Sequence, residues 1–195
     1  MEIQLPTSLS ISADGKKIAF NSYATNLTDT GSELTRVPNV FLFDIDLDAL
    51  TRVNLKPTSD LDTGSSSFQS AISSDGRYIV FDTRDGGLVA GDLNDRSDIF
   101  LRDLSNNQTV RINTFTTAES AKYHAESPVI SDNGDVVAYT LRPISSSDPW
   151  KIVRLKRVSQ DSYDYQREEL PIVSGSSVQL SQTTMIGNTG AAILL

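Results

Sequence analysis

The sequence predicts an all-β fold made of repeated four-stranded antiparallel units. Three observations carry that expectation. A short motif recurs at nearly constant intervals, the segments around it alternate apolar and polar residues, and no stretch carries a helical period. The motif reads ISADGKKIAF at 11–20, ISSDGRYIVF at 72–81 and ISDNGDVVAY at 130–139, with a faint fourth copy, IGNTGAAILL, at 186–195. Its turn glycines Gly15, Gly76, Gly134 and Gly190 are spaced by 61, 58 and 56 residues.

Within each copy, a short apolar segment ends in Ser and a tight turn follows, where Gly tolerates positive φ. The next segment alternates: Ile18 and Phe20, Ile79 and Phe81, Val137 and Tyr139. Strict alternation of β-branched and aromatic residues marks a half-buried strand. A third strand is read at NVFLFDI (39–45), DIFLRDL (98–104) and, more weakly, WKIVRLKRV (150–158). The fourth is TRVNL (51–55), TVRIN (109–113) and ELPIVS (169–174). Pro38 would stop the one candidate helical turn, SELTRV, before it.

Four-stranded units repeated along a chain predict a β-propeller, with a β-sandwich as the runner-up that would need no repeat. The blades are placed at about 7–55, 68–114 and 126–174, with a partial fourth at about 178–195, in a single propeller region over 1–195. Three and a half blades leave open edges. The expectation is a partial or open propeller, either a portion of a longer one or a half-ring completed by another chain.

ISSDGRYIVF, SDIFLRDL and VRIN together resemble the TolB-like, WD-like propeller repeat common in bacterial proteins. The pattern is S-x-D-G, a strand ending in A-F or V-F, then D-x-F-x-x-D-L and R-V. The likeness is close over 7–114, moderate over 126–158 and partial over 178–195. It implies blades, not one activity, because such blades serve many roles. It also implies a periplasmic, secreted or cell-surface address, although MEIQLPTSLS has neither the basic start nor the apolar core of a signal peptide.

Composition narrows the chemistry. The 195 residues carry a net charge of −8, which excludes an electrostatic grip on nucleic acid. No segment approaches the ~20 apolar residues of a membrane-spanning helix, so no membrane insertion is expected. There is no Cys and one His, His124, in the polar stretch AKYHAESP. That removes disulfides, thiolate nucleophiles and multi-His zinc sites. No nucleophile elbow, Walker loop or dinucleotide fingerprint is present.

Four features remain as candidates. In GDLNDRSDIFLRD, Asp92, Asn94 and Asp98 stand at the first, third and seventh places of a calcium-loop pattern, so calcium is the one cofactor the sequence admits. Arg96 occupies the fifth place and supplies no oxygen. In SQDSYDYQREEL (159–170), Tyr163 and Tyr165 are candidate anchors for a protein partner on a loop within blade three. Asp44 with Arg52, and Asp103 with Arg111, recur as within-blade ion pairs or turn caps. Trp150 is assigned to core packing. The function expected is a non-enzymatic protein-binding or assembly module, part of a larger propeller or complex. The alternative is a glycan-processing hydrolase or lyase with its site in the central channel.

Overall fold

The computed structural model describes residues 8–28, 37–55, 66–170, 184–186 and 192–194. Three four-stranded antiparallel sheets follow one another along the chain. The first contains β1 (Leu9–Ile11), β2 (Lys17–Ser22), β3 (Asn39–Asp44) and β4 (Ala49–Arg52). The second contains β5 (Ser70–Ile72), β6 (Tyr78–Thr83), β7 (Asp98–Asp103) and β8 (Gln108–Arg111). One helical turn, α1 (Thr117–Ser120), precedes the third sheet. That sheet holds β9 (Tyr123–Ile130), β10 (Val136–Pro143), β11 (Lys151–Arg157) and β12 (Tyr165–Leu170). Strand order within each sheet is sequential, the up-and-down meander of a propeller blade.

The fourth strand of blade three begins at Tyr165, earlier than the 169–174 segment singled out by pattern. Charged side chains such as Arg167 and Glu168 hid it, because an outer strand wet on one face carries little apolar signal. Residues 171–174 lie outside the described residues, as does most of the segment 178–195. Within that segment β13 (Thr184–Ile186) and β14 (Ala192–Leu194) pair antiparallel.

The recurring motif closes a turn by backbone and side-chain hydrogen bonds. Gly15 N–H donates to Ser12 O, Gly76 N–H to Ser73 O and Gly134 N–H to Ser131 O. Ser12 Oγ donates to Asp14 Oδ1 at 2.6 Å and accepts from Lys17 N at 3.0 Å. Asp14 Oδ1 also accepts from Lys16 N. Ser73, Asp75, Arg77 and Tyr78 repeat the same bonds in blade two. The turns then link blade to blade: Ala13 N–H donates to Ser74 O and Asp75 N–H to Asp132 O.

Strand period two gives each blade two faces, and the middle blade is buried on both. Ile79, Phe81 and Phe100 pack with Ala19, Val40, Leu42 and Val53 of blade one. Tyr78, Val80, Ile99 and Leu101 pack with Val137, Tyr139, Leu141, Val153 and Leu155 of blade three. The ring pair Phe81–Phe100 stacks at 5.8 Å, and its blade-one equivalent, Phe20–Phe41, at 5.7 Å. Each such side chain contributes about 1.5–3 kcal/mol when fully buried.

Gly134 (φ +76°) sits where a Cβ would lie 2.4 Å from the ring of buried Tyr78, whereas Gly15 (φ +72°) has no neighbour within 4 Å of that position. Gly15→Ala is therefore expected to cost about 1–2 kcal/mol from backbone strain alone. Gly134→Ala should cost about 3 kcal/mol or more, because ring displacement adds to strain. Urea unfolding of the two variants checks the ordering.

Candidate functional site

The loops that join second to third strands, and one blade to the next, emerge at the end of the sheets opposite the S-x-D-G turns. The loop 84–97 of blade two lies there. Asp92 and Asp98 are buried, at 4% and 0% exposure. Arg111 Nη1 donates to Asp92 Oδ1 at 2.9 Å, and Asn113 Nδ2 donates to Asp98 Oδ1 at 2.6 Å. Asn94 Oδ1 accepts from Arg96 N at 2.9 Å, bending the loop back at Asp95 (φ +54°). The Asn94 side chain also lies beside the Asp98 carboxylate. Thus the structure brings Asp92, Asn94 and Asp98 together. Burial, with the negative charge of Asp92 nearby, pushes Asp98 up to about 6 against the pull of Asn113. Among the described residues, no group of three or more His, Asp or Glu side chains converges as a metal-ligand set.

The seam between blades two and three continues this end. Ser97 N–H donates to His124 Nδ1, and Ala125 N–H donates to Ser97 O. Burial and nearby Arg142 hold the His124 imidazole below its ordinary range, so its neutral form accepts this bond. Thr116 caps α1 in a reciprocal box with Glu119. Burial pushes the Glu119 carboxyl up, but Arg167 and Thr116 hold it well below the carboxylate range. Deeper in, Asp82 bridges two blades. Its Oδ1 accepts from Phe68 N and Gln69 N, and its Oδ2 from Ser127 N at 3.1 Å.

Tyr163 and Tyr165 occupy the other end and are tied into the fold. Tyr165 opens β12, and both rings pack against the core between blades two and three. Arg157 lies over the rings of Tyr78, Tyr163 and Tyr165 at 4.6, 5.7 and 5.5 Å. Tyr163 Oη donates to Asp103 Oδ2 at 2.9 Å, and Tyr165 Oη to Gly134 O at 3.1 Å. The loop expected to offer two free anchors is thus an inter-blade clamp, because both phenols find buried partners. The turn-cap reading holds for both acids, Asp103 accepting from Ser105 N, whereas the within-blade ion pairs take other partners. Asp103 pairs with Arg77 at 2.8 Å rather than with Arg111, which pairs with Asp92. Burial pushes the Asp103 carboxyl up, but Arg77, Ser105 and Tyr163 hold it far below its ordinary range. Asp44 caps Leu47 N, and Arg52 donates to Asn39 Oδ1.

No family model matches the sequence, and no curated relative does. Solved structures match throughout. TolB of Agrobacterium tumefaciens superposes with a TM-score of 0.54 at 18% identity, over 87% of this chain and 51% of that one. An oligogalacturonate lyase of Vibrio parahaemolyticus gives 0.53 at 13% identity, over 94% and 44%. A prolyl endopeptidase gives 0.50 at 13% identity, over 92% and 23%. The fold is that of a TolB-like β-propeller. The chain spans about half or less of the length of each of these structures.

Among the described residues of this TolB-like array, the large apolar side chains left exposed at the loop end are Phe68, Leu93, Ile144 and Trp150, with Leu93 at 92% and Trp150 at 46%. Trp150 is therefore not core packing as its strand-entrance position suggested. Pro149 and the polar run 145–148 keep it outside the sheet. Its signal in the sequence was that polar run, which lacks the alternation of a strand.

Burial beside Glu126 pushes Asp82 up to about 6, above its unfolded value, although three N–H groups oppose the shift. The folded state then binds the extra proton between about pH 4 and 6. The contribution of Asp82 is fully present below about pH 4 and is lost as pH rises through 6. Relative to Asp82→Asn, the wild type should lose on the order of 1–3 kcal/mol across that window. Chemical unfolding of both proteins at closely spaced pH values measures the difference.

Proposed function

We propose that this protein is a non-enzymatic propeller module whose work is protein binding and assembly, and that its outer blade-one face takes a further blade. One observation carries the reading. Ile11 and Ile72 occupy the same place in the repeat, yet Ile72 is 6% exposed and Ile11 is 57% exposed. Ile18 and Phe20 are likewise half-buried where Ile79 and Phe81 are fully buried under blade one. Leu9, 69% exposed, extends the same bare face through its pairing with Phe20. A sheet face carrying the residues that blade two hides is built for the same contact.

The interface implied is a blade whose packing face is small and apolar, like the Ala19, Val40 and Leu42 face that covers blade two. The loop end supports binding of a second kind of partner, since Phe68, Leu93 and Trp150 stand out from a rigid scaffold. His124, the sole histidine, is engaged by a backbone N–H and packed in a seam, which favours a structural part for it.

Ile11→Lys in the intact protein tests the face. Where a blade covers it, the charge is expected to cost about 2–4 kcal/mol or to dissociate the assembly in sedimentation. A change within about 0.5 kcal/mol, the value for a solvated position, with unaltered sedimentation, would overturn the reading.

A further inference from the structure

We propose that Asp92 and Asp98, with Asn94, hold a calcium ion through the Oδ2 atoms of the two aspartates. Both Oδ2 atoms are buried and neither has a hydrogen-bond partner of good geometry, the Asn94 amide beside Asp98 giving its carboxylate partial support only. Buried polar atoms are nearly always paired, and an orphan carboxylate oxygen destabilises the fold. Here two such oxygens belong to neighbouring carboxylates that repel each other.

The repeat supplies an internal comparison. In blade one the place of Asp98 is taken by Asn39, which opens the third strand in the same way. Asn39 Oδ1 accepts from Arg52 Nη2 at 2.7 Å and from Asn54 Nδ2 at 2.9 Å. Asn54 Oδ1 in turn accepts from Val40 N, as Asn113 Oδ1 accepts from Ile99 N in blade two. Among these groups blade one holds one cation and no acid. Blade two keeps the Arg and the Asn at the end of its fourth strand but replaces Asn39 by Asp98, next to the buried Asp92. Arg111 then pairs with Asp92 alone, and two acids face one guanidinium. The surplus negative charge is what a bound cation would neutralise.

The donors point to the class of ion. Every free donor atom is a hard oxygen, which suits calcium or magnesium over zinc or copper. The bends at Gly91 (φ +85°) and Asp95 leave few and irregularly placed oxygens, which calcium tolerates and the strict octahedron of magnesium does not. Asn94 lines an open cleft with Gly91, Leu93, Arg111, Phe115 and Ser120, which brings solvent to the edge of the loop. Because only two carboxylates contribute and Arg111 stands nearby, the affinity falls in the range of about 10⁻⁴–10⁻³ M.

Calorimetric titration of the intact protein with calcium chloride near pH 7.5, paired with thermal melts, tests the site. Saturable heat is expected, with the midpoint of melting rising about 3–6 °C at ten times the dissociation constant. Magnesium at matched ionic strength should give a smaller rise. Asp98→Asn rebuilds the blade-one arrangement, so it is expected to fold and to lose the calcium response. Should it fail to fold, Asp92→Asn carries the same expectation. No heat and no shift at about 10 mM calcium would overturn the proposal, as a water bridging the two oxygens would give that result. An equal shift in both variants would overturn it as well, by tracing the effect to charge elsewhere.

Discussion

The array depends on the stacking of one sheet against the next through side chains that alternate along β6 and β7. Ile79, Phe81 and Phe100 face one way, and Tyr78, Val80, Ile99 and Leu101 the other. A strand pair of six residues each can bury both faces only if sheets lie on either side of it. Blade two is therefore the keystone, and blades one and three each lend it one face. The same arithmetic explains why blade one is left half-clad. Its inner face is spent on blade two, and its outer face has the composition of a buried one.

Hydrogen bonds add registration to this stacking rather than much net free energy. Asn21 and Asp82 occupy equivalent positions near the ends of β2 and β6 and solve the same problem with different chemistry. Asn21 accepts from Ser70 Oγ and donates to Ser67 O, tying blade one to blade two. Asp82 gathers three backbone N–H groups, one of them from Ser127 of blade three, whose φ of +57° marks a local kink in β9. An amide can both donate and accept, so it suits a junction with a free carbonyl. A carboxylate can only accept, so it suits a junction where the neighbouring strand bulges and leaves its N–H unpaired.

Much of the architecture was legible because the repeat records it three times. The alternation in KKIAF and RYIVF located β2 and β6, and the S-x-D-G turn located the glycines with positive φ. What the residues could not give was partnership between distant segments, within a blade or across blades. Asp103 and Arg111 share a recurring spacing with Asp44 and Arg52, yet Asp103 is claimed by Arg77 and Tyr163, which lie 26 and 60 residues away in sequence. Tyr163 and Tyr165 looked exposed because their neighbours are charged. They are clamped because Arg157, although it alternates with apolar residues along β11, turns into the seam with Tyr78. Local pattern reports which face a side chain takes, but not which sheet meets that face.

Repeats within one chain also separate scaffold from specialisation. Residues that keep their bonds in each blade, such as Ser12, Ser73 and Ser131 with their turn partners, are explained by the blade itself. Residues that depart from the repeat by placing a charge in the interior need another cause. Asp92 and Asp98 are of that kind: the blade needs an acceptor at the start of β7, and Asn39 shows that an uncharged one suffices in blade one. A second carboxylate in the interior, with an oxygen that meets no donor in good geometry, weakens the bare fold. That cost persists only if something beyond the blade compensates it, which makes the loop end of blade two the place where this array departs from a generic scaffold.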